Sequence, residues 1–255
     1  MFARRDILKT IGALPLSAIL ADPDLARAAA STTSTVSLKL DNGTEVSASL
    51  ALPDTGPAPS VILIHEWWGL NDQIKSVAVE FAKLGYAALA VDLYKGNVAT
   101  DRDSARSYMQ AVKGNEARET LSKWADWMKE HKATTGKLGT IGWCFGGGWS
   151  LNVSIGSPVD ATVIYYGNVT RGEKELARLK GPVQGHFATL DKWINQKMVS
   201  GFEEAMKKAG QPAPEVYWYE ADHAFANPSG GRFDEADAKL AWERTQAFFK
   251  EHLKE

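Results

Sequence analysis

Short apolar runs alternate with longer amphipathic segments along most of this chain, and no other feature of the sequence restricts the fold as strongly. The runs are almost continuously apolar, which is typical of strands buried on both faces of a sheet. Between them, apolar residues recur at helical spacing, as in Ile74, Val77, Ala78 and Phe81. The alternation predicts an α/β fold with a mostly parallel sheet, helices on both faces, and active groups after the carboxyl ends of strands. The predicted strands are Val61–His65, Ala87–Val91, Lys137–Ile141, Ala161–Tyr165, Val183–Phe187 and Val216–Tyr219.

A hairpin is predicted before these units. Val36–Leu40 and Glu45–Leu50 flank an Asn-Gly pair, which supplies the positive φ angles of a tight turn. We expect this N-terminal hairpin at the edge of the sheet, and we expect the last helix over Asp234–His252. The Pro- and Gly-rich stretches are short enough to be loops, so residues 31–255 are predicted to form one domain.

Residues 1–30 have the order of an export signal, with a basic start, a short apolar stretch and small residues. The apolar stretch has about ten residues, too few for a bilayer span of about 20. The segment around Arg4 and Arg5 is similar to signals of the twin-arginine pathway, which carries folded proteins across the bacterial inner membrane. We therefore expect the twin-arginine export machinery as a partner and cleavage after Ala28 or Ala30. The product would be periplasmic or secreted, without membrane attachment; an amphipathic first helix is the alternative.

Charge and cysteine content exclude several kinds of site. The chain has 29 basic and 31 acidic residues and a formal net charge of -2, so nucleic acid is not an expected partner. Cys144 is the single cysteine, which excludes an intramolecular disulfide, a CxxC metal site and a redox pair within the chain. If this thiol has a function, it acts without a second one.

Cys144 stands in the segment Gly142-Trp143-Cys144-Phe145-Gly146, between the third predicted strand and a helix. This G-x-C-x-G pattern is a nucleophile elbow with sulfur in place of oxygen. A side chain at either glycine would collide where the helix packs against the strand. The turn also places the Phe145 N–H at the start of the helix, where it can donate to an oxyanion and where the helix dipole favours a thiolate. A buried apolar cysteine is the alternative.

An acid and then a histidine are expected after the nucleophile in this fold class, each following a later strand. His223 fits this order, since it follows the last predicted strand and precedes the last helix, whereas His186 lies within an apolar strand and is expected to pack there. Asp191 follows the fifth predicted strand and is the favoured acid to orient the imidazole. Asp222 is the rival acid, but neighbouring side chains in an extended loop tend to diverge.

Five motifs, in the right order, resemble those of the dienelactone hydrolase family, whose best known activity is carboxymethylenebutenolidase. They are His65-Glu66-Trp67-Trp68-Gly69-Leu70-Asn71, Val91-Asp92-Leu93-Tyr94, Gly142-Trp143-Cys144-Phe145-Gly146-Gly147, Tyr165-Tyr166-Gly167 and Ala221-Asp222-His223-Ala224-Phe225. The resemblance covers nearly all of the chain after the predicted signal. It implies an α/β-hydrolase fold and a hydrolase of small esters or lactones that requires no metal or organic cofactor.

The resemblance also implies roles for individual residues. The implied catalytic residues are Cys144, His223, Asp191 and Glu66, and the implied oxyanion donors are the backbone N–H groups of Phe145 and Trp67. The glutamate would help to activate the resting cysteine when substrate enters, and the ester would react through a thioester acyl-enzyme.

Asn227 departs from the family pattern, because dienelactone hydrolases proper have an arginine there that holds a substrate carboxylate. Arg102, Arg106 and Tyr108 occupy the region of a second family arginine, but their spacing does not settle which of them reaches the pocket. The ester or lactone is therefore left open. The tryptophans near the motifs predict an aromatic-lined pocket, with core packing as the alternative: Trp67, Trp68, Trp143 and Trp149. A non-catalytic periplasmic binding protein, and a related acyl transferase or thiol peptidase, stay as alternative functions.

Overall fold

An eight-stranded sheet forms the centre of the protein, in a computed structural model that describes residues 14 and 16–255. Its strands are β1 (Ser34–Lys39), β2 (Glu45–Ala51), β3 (Ala58–Ile64), β4 (Ala87–Val91), β5 (Thr134–Trp143), β6 (Ala161–Tyr165), β7 (Val183–Ala188) and β8 (Glu215–Tyr219). They lie in the order β1-β2-β4-β3-β5-β6-β7-β8. The β1–β2 and β2–β4 pairs are antiparallel and all later neighbours are parallel. The predicted mostly parallel sheet with an edge hairpin is confirmed.

The central strands are buried on both faces, as their apolar sequences predict. Every residue of β4 and β6 is buried, and these two strands have the predicted bounds. β3 ends at Ile64, one residue earlier than predicted, so His65 and Glu66 begin the loop that follows it. The carboxyl ends of the parallel strands consequently carry the motifs singled out above.

Helices cover both faces of the sheet. They are α1 (Leu16–Ala21), α2 (Pro23–Ala30), α3 (Asp72–Lys83), α4 (Arg102–Ala111), α5 (Gly114–Glu130), α6 (Phe145–Gly156), α7 (Glu173–Leu176), α8 (Gln196–Lys208) and α9 (Glu235–Lys254). On one face, α3 and α9 pack with Leu63 and Ile141 of the sheet. On the other face, α5, α6 and α8 cover residues such as Ile62 and Phe187. This is the three-layer arrangement expected of an α/β fold.

The first two helices pack against α3. Ile19 and Ala26 are buried, and two side chains of α3 bind their backbone. Ser76 Oγ donates to the Ala26 carbonyl at 2.8 Å, and Gln73 Nε2 donates to the Leu20 carbonyl at 2.9 Å. Residues within the predicted export signal therefore contact the domain in the uncleaved chain.

The twin-arginine pair, Arg4 and Arg5, lies outside the described residues, so export and cleavage stay predictions. Among the residues that the structure describes, no helix combines the length and apolar character needed to cross a membrane.

Candidate active site

Cys144 lies in the tight turn between β5 and α6. Its φ of +53° falls in a region that non-glycine residues rarely adopt, and its backbone N–H is held by the Tyr165 carbonyl at 3.0 Å. A Cβ at Gly142 would overlap the Gly146 carbonyl, and a Cβ at Gly146 would overlap the Ile64 carbonyl. Both glycines are thus required for α6 to start this close to β3 and β5, with Cys144 at the apex of the turn.

Cys144, His223 and Asp191 form a continuous chain of polar contacts. The Nε2 atom of His223 lies 3.1 Å from Cys144 Sγ, and its Nδ1 atom lies 2.6 Å from Asp191 Oδ2. The aspartate and the histidine are buried, whereas the cysteine is half-buried. The structure therefore brings together three residues that lie in different loops after β5, β7 and β8.

The carboxylate of Asp191 is held from two sides. Its Oδ1 atom accepts the backbone N–H groups of Trp193 and Ile194 at 2.8 and 3.0 Å, while Oδ2 faces the imidazole. Burial would raise the pKa of Asp191, but the hydrogen bond and charge of His223 and these two N–H groups lower it below the usual value. Asp222, the rival acid, accepts the backbone N–H of His223 at 2.6 Å, whereas the ring Nδ1 contacts Asp191.

The imidazole of His223 favours its protonated form. Burial opposes the positive charge, but the hydrogen bonds to Asp191 and Cys144 and their charges raise the pKa of His223 to about 10. Trp193 packs edge-on against the imidazole with ring centroids 5.3 Å apart. The geometry thus holds a ring that favours its protonated form between a carboxylate and a sulfur atom.

Glu66 lies at the carboxyl end of β3, buried next to this chain of contacts. Its Oε1 atom accepts the hydroxyl of Tyr166 at 3.2 Å, and its Oε2 atom accepts Nδ2 of Asn227 at 2.5 Å. Burial raises the pKa of Glu66, and the hydrogen bonds and the charge of His223 only partly offset this. Asn227, at the position where an arginine was expected, binds the glutamate.

The two backbone N–H groups predicted as oxyanion donors lie at the start of α6 and in the turn after β3. Phe145 is the first residue of α6, where N–H groups have no partner within the helix. Trp67 follows Glu66 in a turn closed by the Gly69 N–H to the Glu66 carbonyl at 3.2 Å. His65 anchors this turn, because its Nδ1 atom contacts the Glu66 carbonyl at 2.5 Å and its Nε2 atom accepts the Leu93 N–H at 3.2 Å.

The other sequence candidates lie elsewhere in the fold. His186 is buried in β7 against Tyr219, and its burial and the charge of Arg244 lower its pKa to about 3, so it packs as a neutral ring, as predicted. Arg102 and Arg106 are exposed on α4. The four tryptophans divide between roles: Trp143 lines a cavity and Trp149 packs against Phe145, while Trp67 and Trp68 pack on each other.

Two side chains near His223 were not predicted from the sequence. Trp193 is 60% exposed and covers the imidazole, and the guanidinium of Arg232 lies 5.5 Å from the Trp193 ring centroid. The short distance of Trp193 from Asp191 along the chain was an available signal. The loop before α9 gave no corresponding signal for Arg232.

Comparison with known proteins gives a consistent assignment. The sequence model of the dienelactone hydrolase family matches residues 46–253. The protein usf of Aquifex pyrophilus is 32% identical over 222 residues, covering 83% of this chain and 96% of its own. A carboxymethylenebutenolidase of Pseudomonas putida is 28% identical over 228 residues, covering 84% and 94%. A crystal structure assigned to a dienelactone hydrolase from Klebsiella pneumoniae superimposes with a TM-score of 0.76 at 26% identity, covering 86% and 98%.

The matched region contains β3 to β8 and all of β2 except Glu45, together with Cys144, His223, Asp191 and Glu66. Sequence and fold similarity therefore agree over the whole candidate site. The chain belongs to the dienelactone hydrolase family and is a hydrolase with an α/β-hydrolase fold.

Proposed function

We propose that this protein hydrolyses small esters or lactones with a Cys144-His223-Asp191 triad, through a thioester acyl-enzyme. One observation carries the proposal: the Cys144 sulfur, at the apex of a strained strand-to-helix turn, contacts an imidazole that in turn contacts a carboxylate. In a non-catalytic binding protein, nothing would require that contact or that backbone conformation.

The reaction has two steps. The Cys144 thiolate attacks the ester carbonyl, and the N–H groups of Phe145 and Trp67 donate to the oxyanion. The C–O bond breaks as protonated His223 gives its proton to the leaving alcohol, which leaves a thioester. Neutral His223 then takes a proton from water, the resulting hydroxide attacks the thioester, and the acid departs while the sulfur becomes a thiolate again.

The raised pKa of His223 supports this starting state. An imidazolium 3.1 Å from the sulfur stabilises a thiolate, and Asp191 stabilises the imidazolium. Glu66 would act as an additional acid that participates in cysteine activation when substrate enters. Its hydrogen bonds to Tyr166 and Asn227 would hold it in the resting position until then.

The substrate is proposed to be a small ester or lactone, because carboxymethylenebutenolidases are among the relatives of this chain. Asn227 binds Glu66 in this protein and supplies no positive charge for a substrate carboxylate. A neutral ester is therefore an appropriate first test substrate.

Hydrolysis of p-nitrophenyl acetate by wild-type and Cys144→Ala protein tests the function. We expect Cys144→Ala to lose at least about a thousandfold in kcat while its circular dichroism spectrum stays that of the wild type. Retained hydrolysis would exclude the cysteine mechanism. In a binding protein, iodoacetamide would modify Cys144 slowly, whereas the proposed enzyme should react quickly and be protected by an ester substrate.

The predicted export signal indicates in which compartment this activity would occur. We propose that the protein is periplasmic or secreted, because Arg4 and Arg5 precede a short apolar stretch and small residues in the order of a twin-arginine signal.

A further inference from the structure

A cavity of about 430 Å³ lies between α1, α3 and α9, a volume typical of sites for small ligands. Its wall is largely apolar: Leu16 and Leu20 from α1, Ile74 and Val77 from α3, Trp143 from β5 and Trp242 from α9. The charged lining residues Glu235, Lys239 and Glu243 are exposed and form its rim. The cavity is thus open to solvent at a charged edge and apolar inside.

The inner end of the cavity lies beside the candidate active site. Glu66 and Tyr166 line it, and Trp143, which directly precedes Cys144, lines it as well. The ring of Tyr166 also packs against the imidazole of His223, with centroids 5.2 Å apart. Tyr166 therefore contacts both the cavity and the imidazole of the candidate site.

The polar groups at the inner end already have partners. Both carboxylate oxygens of Glu66 accept hydrogen bonds, one from Tyr166 and one from Asn227. A charged ligand group placed there would meet apolar surface and the carboxylate of Glu66, whose two oxygens already accept hydrogen bonds. A hydrocarbon chain, in contrast, would lose water and contact the aliphatic and indole side chains of the wall.

We propose that this cavity binds the apolar acyl chain of the substrate, so that the enzyme favours esters of medium-chain acids over acetate. This inference rests on the proposed function, since the carbonyl of such an ester must lie at Cys144. The chain would pass Glu66 on its way into the cavity, which links binding of the chain to release of Glu66 from Tyr166 and Asn227. In the uncleaved chain the α1 helix supplies the outer wall, and the lining residues of α3, β5 and α9 remain after the proposed cleavage.

The test measures kcat/KM of the full 255-residue chain for p-nitrophenyl acetate, butyrate, hexanoate and octanoate. If each added methylene is buried in the cavity, kcat/KM should rise about fourfold per methylene until the cavity is full. Ala238, on the cavity side of α9, can be replaced to fill the space, and Ala236, exposed on the same helix, is the matched control.

In Ala238→Trp we expect the octanoate-to-acetate ratio of kcat/KM to fall at least tenfold, and in Ala236→Trp we expect the wild-type ratio. Val77→Phe, at another lining position, serves as the second filling variant if Ala238→Trp fails to fold by circular dichroism. A wild-type ratio in a folded filling variant, or no preference for longer chains in the wild type, would overturn the inference. Neither result affects the proposed function, which is tested separately by acetate hydrolysis in Cys144→Ala.

Discussion

At the scale of single residues, backbone strain is concentrated around Cys144. Cys144, Tyr166 and Ala224 all have positive φ, at +53°, +37° and +65°. Conformations of this kind cost about 1–3 kcal/mol each and persist only where the surrounding structure imposes them. Cys144 and Tyr166 contact the imidazole of His223, and Ala224 directly follows His223, so the strain serves to place these side chains.

The pKa of His223 should depend on Asp191 and not on Asp222. Asp191→Asn removes the negative charge at Nδ1, so the pKa of His223 should fall well below about 10. We expect kcat to fall about 10²–10⁴-fold in the same variant. Titration of the ring by NMR measures the pKa, and p-nitrophenyl acetate hydrolysis measures kcat.

Asp222→Asn is the matched control, because Asp222 accepts the backbone N–H of His223, whereas Asp191 contacts the ring itself. In this variant the pKa of the His223 imidazole should stay near its wild-type value. An equal effect of the two variants on the titration would contradict the assignment of Asp191.

Asn227 should set the pH at which Glu66 ionises. The hydrogen bond from Nδ2 lowers the pKa of Glu66, so Asn227→Ala should raise this pKa further. If Glu66 acts as a carboxylate, the rate needs its ionised form, and the acidic limb of the kcat/KM profile should move to higher pH. Ser229→Ala is the control, since Ser229 Oγ donates to Asn227 Oδ1 and leaves the Nδ2 donor in place. An acidic limb at the same pH in all three proteins would argue against this role for Glu66.

Chain order sufficed to predict the contact of Cys144, His223 and Asp191, because each follows a strand whose carboxyl end faces the same edge of the sheet. It did not predict the bond between Asn227 and Glu66, which are 161 residues apart and meet only when the loops after β3 and β8 are folded. The position of Trp193 over the imidazole was also missed, although Trp193 follows closely after Asp191 in the sequence. Contacts between loops depend on loop conformation, which residue patterns do not encode.

At the scale of elements, the start of α6 is the most restricted point of the fold. Gly146→Ala would place a methyl group against the backbone carbonyls of Ile64 and His65, and backbone cannot move aside as a flexible side chain can. We expect a loss of about 3 kcal/mol or more in the free energy of unfolding, measured with urea.

Gly156→Ala, at the exposed last residue of the same helix, is the matched substitution. A Cβ there meets no atom within 4 Å among the described residues, so helix propensity should decide the outcome. We expect a gain of about 0.5–1 kcal/mol. Equal changes in the free energy of unfolding for the two variants would contradict the crowding that the structure shows around Gly146.

Elements that are apolar throughout were the easiest to predict. β4 and β6 have their predicted bounds because every residue in them is buried. The helix α4 was not predicted from periodicity, since Ala105 is its one buried residue and its large apolar side chains, Tyr108 and Met109, are only half-buried. β5 begins at Thr134, three residues before the predicted start, in a segment whose alternate residues are exposed and which therefore lacks a continuous apolar run.

At the scale of the whole molecule, the predicted signal and the folded domain overlap. Cleavage after Ala28 or Ala30 would remove α1, and with it Leu16, Ser17 and Leu20 from the cavity wall. It would also uncover the face of α3 that binds the backbone of Leu20 and Ala26. The precursor and the processed protein should therefore differ in how enclosed the cavity is.

Export should depend on the arginine pair. Replacing both Arg4 and Arg5 by Lys keeps the positive charge but removes the pair that the twin-arginine machinery recognises. In a bacterial host with this pathway, the wild-type protein should reach the periplasm with a new terminus at Ala29 or Ser31, as mass spectrometry of the purified protein would show. The double variant should stay in the cytoplasm at full length; a periplasmic double variant would contradict the proposed route.

The covalent intermediate on Cys144 tests the central claim most directly. Protein mixed with a p-nitrophenyl ester and quenched in acid within milliseconds can be weighed intact and then digested. The account predicts a mass increase of one acyl group, located on the peptide that contains Cys144 and absent from Cys144→Ala. Steady hydrolysis without an acyl adduct in rapidly quenched wild-type protein, or an adduct on another residue, would contradict it.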